Sequence, residues 1–427
     1  MITPDASPTL AMNERVNALW AEGIDVLHLG FGESRFPVHP ALSKAFQENI
    51  HQRSYLPSLG NASLRTAIAK YYSEKLNLSF DAEQILIGVG SKSLLYAMIQ
   101  SIDGDLLLSK PSWVSYSSIA KLTGKSVHWF ELDRDDEFGL SIASLESCYN
   151  DACAIGSDPQ ILVLNSPNNP VGNNIKPDMV ESVAKWARDK DIFILSDEVY
   201  SLVTHDGFIH HTPAASNPER TIIFGGLSKH LSLGGWRFGM AILPKNDIGK
   251  QLSKSFQSIA GSVWSCVPAP IQATAELAYS GDRDIDAYIQ TCTEIHRIRT
   301  NYIHQGLNKM GLKSPTPKGG FYLYPSFSKW TDKLNEMGIL TCNDLSNHLM
   351  NQLGIATLPG SAFGDDPENL CLRFSTSYLD METDQLAQEI IDAYEKENQS
   401  ESFLTLHHPR IALFLEKFGS FISELDK

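Results

Sequence analysis

Hydrophobic and polar positions along this chain alternate between two periods, and the switches between them mark out its elements. A helical period over residues 7–22, opened by Ser7 with Pro8 at the first helical position, predicts a helix, and a strand follows at 24–29. The stretch LGFGESRFPVHP breaks both periods and reads as an irregular crossing segment between two domains. From about residue 40 the two periods take turns. Helices are expected at 61–77, 92–102, 112–122, 141–150 and 176–189, and strands at 84–88, 105–109, 126–131, 160–165, 191–196 and 219–225. Strands alternating with helices dictate a mainly parallel sheet covered on both faces, which makes the fold class α/β.

Beyond residue 245 the texture changes. A helical pattern runs from 266 to 311, with Ile285, Ile289, Cys292 and Ile295 as one apolar stripe, and a helix of that length bridges two domains. Helix 342–353, strands near 355 and 370, and helix 382–397 then form a smaller α+β unit that folds with the N-terminal helix. The expected organisation is a large domain at 38–295, a small domain from 1–37 and 296–400, and a C-terminal extension at 401–427. In that extension Ile411, Phe414, Leu415, Phe418, Phe421, Ile422 and Leu425 share one helical face, so it is expected to dock. Its polar face mixes Glu416, Lys417 and Glu424 and is not basic, which argues against a membrane.

Composition narrows the classes of function. At 427 residues and 42% hydrophobic content the chain buries a large core. A formal charge of −15, from 35 basic and 50 acidic residues, disfavours nucleic acid and anionic membranes. An anionic substrate therefore needs local arginines. Six scattered cysteines with no C-x-x-C pair read as reduced thiols, and the first twenty residues lack the pattern of a signal peptide. A cytoplasmic location is the expectation. The thirteen histidines show no ligand spacing, so no metal site is expected.

Ligands of such sheets bind outside the carboxyl ends of the strands, and five of the loops there carry polar or aromatic residues. The most informative is FGGLSKHLSLGGWRFG, residues 224–239, where Lys229 stands between two apolar runs with Ser228 beside it and Arg237 eight residues on. A lysine so placed snorkels to water, pairs with an acid, or forms an imine with a carbonyl compound. A glycine-rich turn with a surface lysine is the plain alternative. An imine with a phosphorylated aldehyde such as pyridoxal phosphate calls for an acid at the ring nitrogen, a phosphate cradle, a ring platform and a partner for the phenol oxygen. Asp197, ending an apolar strand, can supply the acid, and Tyr200 and Asn169 can reach the oxygen. Gly90, Ser91 and Lys92 open a helix whose free N–H groups suit a phosphate, and Trp113 can cover a flat ring. Arg373, in the strand-like LCLRFSTS, is either a carboxylate binder or an edge-strand surface residue.

Taken in order, these residues resemble the fold-type I, class I/II aminotransferases that use pyridoxal phosphate. The ordered set is Tyr55, Gly90 to Lys92, Trp113, Asn169 to Gly172, Asp197 to Tyr200, Lys229 with Arg237, and Arg373 to Ser375. The resemblance implies that Lys229 carries the cofactor and shuttles its proton, with Ser228 and Arg237 on the phosphate and Arg373 on the substrate α-carboxylate. It also implies that the Gly32 backbone approaches that carboxylate, and that the protein is a homodimer in which Tyr55 reaches the neighbour's phosphate. Two departures stand out. The position three before the lysine, often Ser, is Gly226, and the usual G-E-P-D-F reads Gly32-Glu33-Ser34-Arg35-Phe36, which places an extra cation near the substrate entrance. The implied reaction is ping-pong exchange of an amino group between an α-amino acid and a 2-oxo acid. Elimination or decarboxylation on the same fold is the alternative, because a sequence does not show which substrate bond is aligned for cleavage.

Overall fold

A computed structural model describes residues 7–397 and 401–427. The chain begins with α1 (Pro8–Ala21), β1 (Leu27–His28), α2 (Pro40–Asn49), α3 (Ala62–Leu76), β2 (Ile85–Val89), α4 (Gly90–Ser101), β3 (Asp105–Lys110), α5 (Val114–Leu122) and β4 (Val127–Glu131). It continues through α6 (Ile142–Ala154), β5 (Pro159–Asn165), α7 (Pro177–Asp189), β6 (Phe193–Asp197), β7 (Thr221–Gly226), β8 (Phe238–Ile242), α8 (Asp247–Val263), α9 (Ala269–Ala278) and α10 (Arg283–Lys309). The last part holds β9 (Tyr322–Leu323), α11 (Thr331–Glu336), α12 (Cys342–His348), β10 (Ile355–Ala356), β11 (Leu358–Pro359), β12 (Leu372–Ser375), α13 (Asp384–Glu397), α14 (Glu401–His407) and α15 (Pro409–Leu425).

Seven strands form the main sheet in the order β2-β8-β7-β6-β5-β3-β4. Only β8 runs against its neighbours, so the sheet is mainly parallel, as the alternating pattern requires. The period of two sorts side chains between the faces. Leu106, Leu108, Ile161 and Val163 pack under α4, α5 and α8, while Leu107, Leu162 and Leu164 pack under α6 and α7. Continuous apolar runs in these strands are what a sheet buried on both faces demands.

α10 ties this sheet to the rest of the chain. Its 27 residues span about 40 Å. Ile285 and Ile289 pack with the main sheet, Cys292 and Ile295 with Phe36 and Met381, and Ile303 and Leu307 with a second core. That second core joins the chain's two ends. Leu27 of β1 pairs with Ile355 of β10, and both pack with Phe374 of β12 and with Ile411, Phe414, Phe418 and Phe421 of α15.

Three local expectations are corrected. The helical run 266–311 is two helices, because Gly281 turns at φ +78° and Asp282 caps α10 by accepting from the N–H groups of Asp284 and Ile285. The strand expected at 24–29 shortens to two residues, since its partner β10 offers only two. Helix 342–353 ends as an α-helix at His348 and finishes in a π-turn, Leu349–Leu353. Among the described residues three helices, α2, α8 and α11, lie where the periodicity reading has none. α2 buries only Leu42, a stripe too thin to register, whereas α8 buries Leu252, Phe256 and Ala260 at i, i+4 and i+8.

Candidate active site

β2, β3, β5, β6 and β7 end beside one cavity, and the loops they feed supply its polar lining. Ser91 and Lys92 follow β2, Trp113 and Tyr116 follow β3, and Asn165 ends β5 with Asn169 four residues on. Asp197 and Tyr200 come from the end of β6, and Ser228, Lys229 and Arg237 from the β7–β8 loop. Gly32 and Glu33 arrive from the crossing segment, and Tyr322 and Arg373 from the smaller sheet. Gly90 lies just behind this lining. Tyr55 stands apart from it, 88% exposed.

Lys229 sits at the centre. Its Nζ donates to the Gly32 carbonyl at 2.8 Å and lies 5.3 Å from the centre of the Tyr200 ring. Burial holds the amine down at about 8, helped by Arg373 and Arg237 and opposed by Glu33 and Asp197. A lysine with an affinity that low exchanges protons near neutral pH.

Asp197 is 3% exposed, and burial raises its carboxyl to about 6. The Tyr116 hydroxyl donates to Oδ2 at 2.7 Å and the Val199 N–H to Oδ1 at 3.4 Å. Both partners are neutral, so a carboxylate there lacks a counter-ion in contact. Asn165 fixes the acid's backbone, with Nδ2 donating to the Asp197 carbonyl at 2.9 Å and Oδ1 accepting from the Asn169 N–H at 2.8 Å. Tyr200 and Tyr322 share a hydrogen bond of 2.7 Å, and burial raises both phenols above their usual range.

Arg373 is fully buried. One Nη donates to the Gly30 carbonyl at 2.7 Å and the other to Asn169 Oδ1 at 3.4 Å, while Nε has no partner. Its guanidinium lies over Tyr322, 5.0 Å from the ring centre, and among the described residues it meets no carboxylate. A buried guanidinium without an acid is suited to an incoming anion.

The turn into α4 is built around Arg237. Gly90 has φ +75°, and a Cβ there would come within 2.2 Å of Arg237 Nη2, so only glycine lets that guanidinium lie against the helix start. The N-cap, Val89, makes no side-chain bond, so the first N–H groups of α4 stay available to an anion. Ser91, Ser228 and Arg237 line the same corner.

Gly226 has a structural reason. It pairs with Gly239 across β7 and β8, and a Cβ at Gly226 would stand 2.7 Å from the Phe238 carbonyl oxygen. A serine does not fit that ladder. Gly226→Ser is expected to destabilise the fold by about 1–3 kcal/mol, seen as a lower urea midpoint.

Arg35 lies outside the cavity lining and is already engaged. It pairs with Glu33 at 3.3 Å, donates to the Met381 and Glu382 carbonyls, and lies over Tyr378. Tyr116, Asn165, Tyr322 and Glu33 are among the cavity residues that the sequence reading did not single out for the site. Tyr116 and Asn165 have a sequence signal, since each lies within four residues of a residue picked for chemistry. Among the described residues no group of acids, histidines and cysteines could hold a metal, and no helix is long and apolar enough to cross a membrane.

Comparison with known proteins gives the family and the fold. The family Aminotransferase class I and II matches residues 24–390. Aspartate aminotransferases from Bacillus sp. strain YM-2 and Bacillus subtilis strain 168 are 29% and 30% identical, each over 88% of this chain and 93% of its own length. The solved aspartate aminotransferase of Thermus thermophilus with maleate has a TM-score of 0.80 at 24% identity, covering 92% of this chain and 97% of that one. The chain belongs to the class I and II aminotransferase family and is an aminotransferase. That family uses pyridoxal phosphate, and its members are typically dimeric.

Proposed function

We propose that this protein is a pyridoxal-phosphate-dependent transaminase that takes an acidic amino donor such as aspartate and a 2-oxo acid in ping-pong exchange. The juxtaposition of Lys229, Asp197 and Arg373 in one cavity carries the reading. The donor set fits the cofactor: an uncompensated buried acid for a ring cation, a helix start with Arg237 for a phosphate, and a buried arginine without an acid for a carboxylate. Bound pyridoxal phosphate supplies an aldehyde carbon that takes the amino group and a ring that draws electrons from the substrate Cα.

The chain's own residues do the rest. Arg373 holds the substrate α-carboxylate, with the Gly32 backbone beside it, and so presents Cα to Lys229. The Lys229 Nζ, whose lowered proton affinity of about 8 leaves a fraction of the amine unprotonated at neutral pH, would remove the proton from Cα and return it on the far side of the exchange. Asp197 would hold positive charge on the ring nitrogen, Asn169 and Tyr200 would hold the phenol oxygen, and Trp113 would cover the ring. Ser91, Ser228, Arg237 and the Gly90 turn would grip the phosphate. Tyr55, exposed and outside the lining of its own cavity, would reach the phosphate of a second copy in a homodimer.

Lys92 supports the donor assignment. Lys229, Arg237 and Arg373 are assigned to cofactor and α-carboxylate, which leaves Lys92 as the remaining lining cation, 5.2 Å from the Trp113 ring centre. The named relatives are aspartate aminotransferases. Lys92→Met is expected to lower kcat/KM for aspartate about 10²-fold while leaving alanine within a few-fold, since the loss is one charge-assisted contact. Equal loss for both donors in a kinetic panel would reassign Lys92 to the cofactor alone.

A further inference from the structure

The departure Ser34 has a role of its own. Its side chain is 2% exposed, and its Oγ makes two bonds: 2.6 Å to Ser232 Oγ and 3.0 Å to His296 Nε2. Ser232 is three residues beyond Lys229 and has φ +58°, a left-handed conformation that a serine adopts only under constraint. His296 comes from α10, is 2% exposed, and is wedged between the rings of Phe36 and Phe321 at 4.9 and 4.7 Å. The three side chains therefore join the crossing segment, the lysine loop and the long helix at one buried point.

That point lies where it affects Lys229. Gly32, whose carbonyl accepts from Lys229 Nζ, is two residues before Ser34, and the lysine is three residues before Ser232. Donor and acceptor thus ride on two backbone segments stapled by a single 2.6 Å side-chain bond. The other anchors of the crossing segment pull toward the smaller unit, with Arg35 on the Met381 and Glu382 carbonyls and Phe36 packed with Met381 and Ile390. These, and the Tyr322 hydroxyl that donates to the same Gly32 carbonyl at 3.4 Å, tie the segment to the smaller unit rather than to the lysine loop.

We propose that Ser34 and Ser232, with His296 behind them, are positioning residues that keep the Gly32 carbonyl on the Lys229 amine. The proposal rests on the reading of Lys229 as the reacting lysine. A carbonyl acceptor favours the protonated amine, so loosening the staple lowers the lysine's proton affinity. The charges that face this amine are Arg373 and Arg237, which depress it, and Glu33 and Asp197, which raise it. His296, held neutral by burial and by Arg299 and His205, adds none.

The test uses full-length protein freed of cofactor. Lys229 is acetylated with trace acetic anhydride across pH, and the modified peptide is measured by mass spectrometry. The wild-type midpoint is expected near 8. Ser34→Ala and Ser232→Ala should each lower it by about one pH unit, the size of a weakened hydrogen bond to a charged group. Ser232→Gly, which accepts the left-handed backbone, gives the same comparison if the alanine folds poorly. The double variant should shift no further than Ser34→Ala alone, because both substitutions remove the Ser34–Ser232 bond and only Ser34→Ala also loses the bond to His296, and Ser34→Thr should restore the midpoint. With cofactor bound, the alanine variants should lose about tenfold in kcat with KM within twofold. Unmoved midpoints, or shifts that add in the double variant, would overturn the staple. An active Lys229→Ala protein would instead overturn the role of the lysine and leave the midpoint comparison standing.

Discussion

Replacing Lys229 with alanine is expected to reduce transamination by about 10⁴-fold or more and to remove the adduct that borohydride traps between protein and cofactor. The size of the effect follows from two functions resting on one nitrogen. On the proposed reading the Nζ would be both the nucleophile that holds the cofactor aldehyde and the base that moves the substrate proton. Burial, Arg373 and Arg237 bring its proton affinity down to about 8, and the Gly32 carbonyl aims it at 2.8 Å. Among the described residues the other lysine of the cavity lining, Lys92, lies beside Trp113 instead. Lys229→Arg should fail almost as badly, because a guanidinium keeps the charge but neither condenses with an aldehyde nor gives up a proton at neutral pH. Steady-state kinetics and the mass of the borohydride-reduced protein check both variants. Retention of the adduct in the alanine variant would place the covalent bond elsewhere.

Asp197→Asn should separate stability from activity. Burial raises this carboxyl from 3.8 to about 6, so between those values the folded chain binds more protons than the unfolded one. Stability therefore falls as pH rises from about 4 to about 6 and stays lower above that, at a cost on the order of 2–3 kcal/mol. Asparagine keeps the shape without the charge. It can still accept from the Val199 N–H and meet the Tyr116 hydroxyl, which then turns to accept. The cofactor-free variant is thus expected to melt higher than wild type at pH 8 and to match it at pH 4. Activity should drop by about 10²- to 10⁴-fold, because on the proposed reading the ring nitrogen would lose the negative charge that keeps it cationic. Calorimetry of the cofactor-free protein at the two pH values, beside kinetics of the loaded one, reads both effects. A variant destabilised at both pH values would mean that the carboxylate is held by contacts rather than tolerated for chemistry.

Much of this architecture was open to inspection in one dimension. Strand and helix periods in the first 226 residues are written in contiguous side chains, so the alternation, the parallel sheet and the loops at its carboxyl ends could be read from neighbours a few positions apart. The same holds for the α15 stripe. Its partners were not legible, because Leu27, Leu323 and Phe374 lie far away in sequence and only folding brings them under Phe414 and Phe418. Shortened elements such as β1 tell the same story, since a strand is only as long as the partner it finds.

At the cavity the division is similar. Lys229, Asp197, Arg373 and their companions announce themselves by residue type and order, because charged groups beside buried strands carry a desolvation cost that calls for a ligand. Tertiary structure alone decided what each one touches. It turned Arg35, a candidate substrate contact, inward onto Glu33 and two carbonyls, and it explained Gly226 by the Phe238 carbonyl standing 2.7 Å from any side chain there. It also joined Ser34 to Ser232 and His296 across 198 and 262 residues. The sequence by itself determined which chemical groups this protein possesses and which strands present them. Distances between groups far apart in the chain depend on how whole layers pack, so the proton affinities, the staple and the spare anion sites belong to the folded molecule alone.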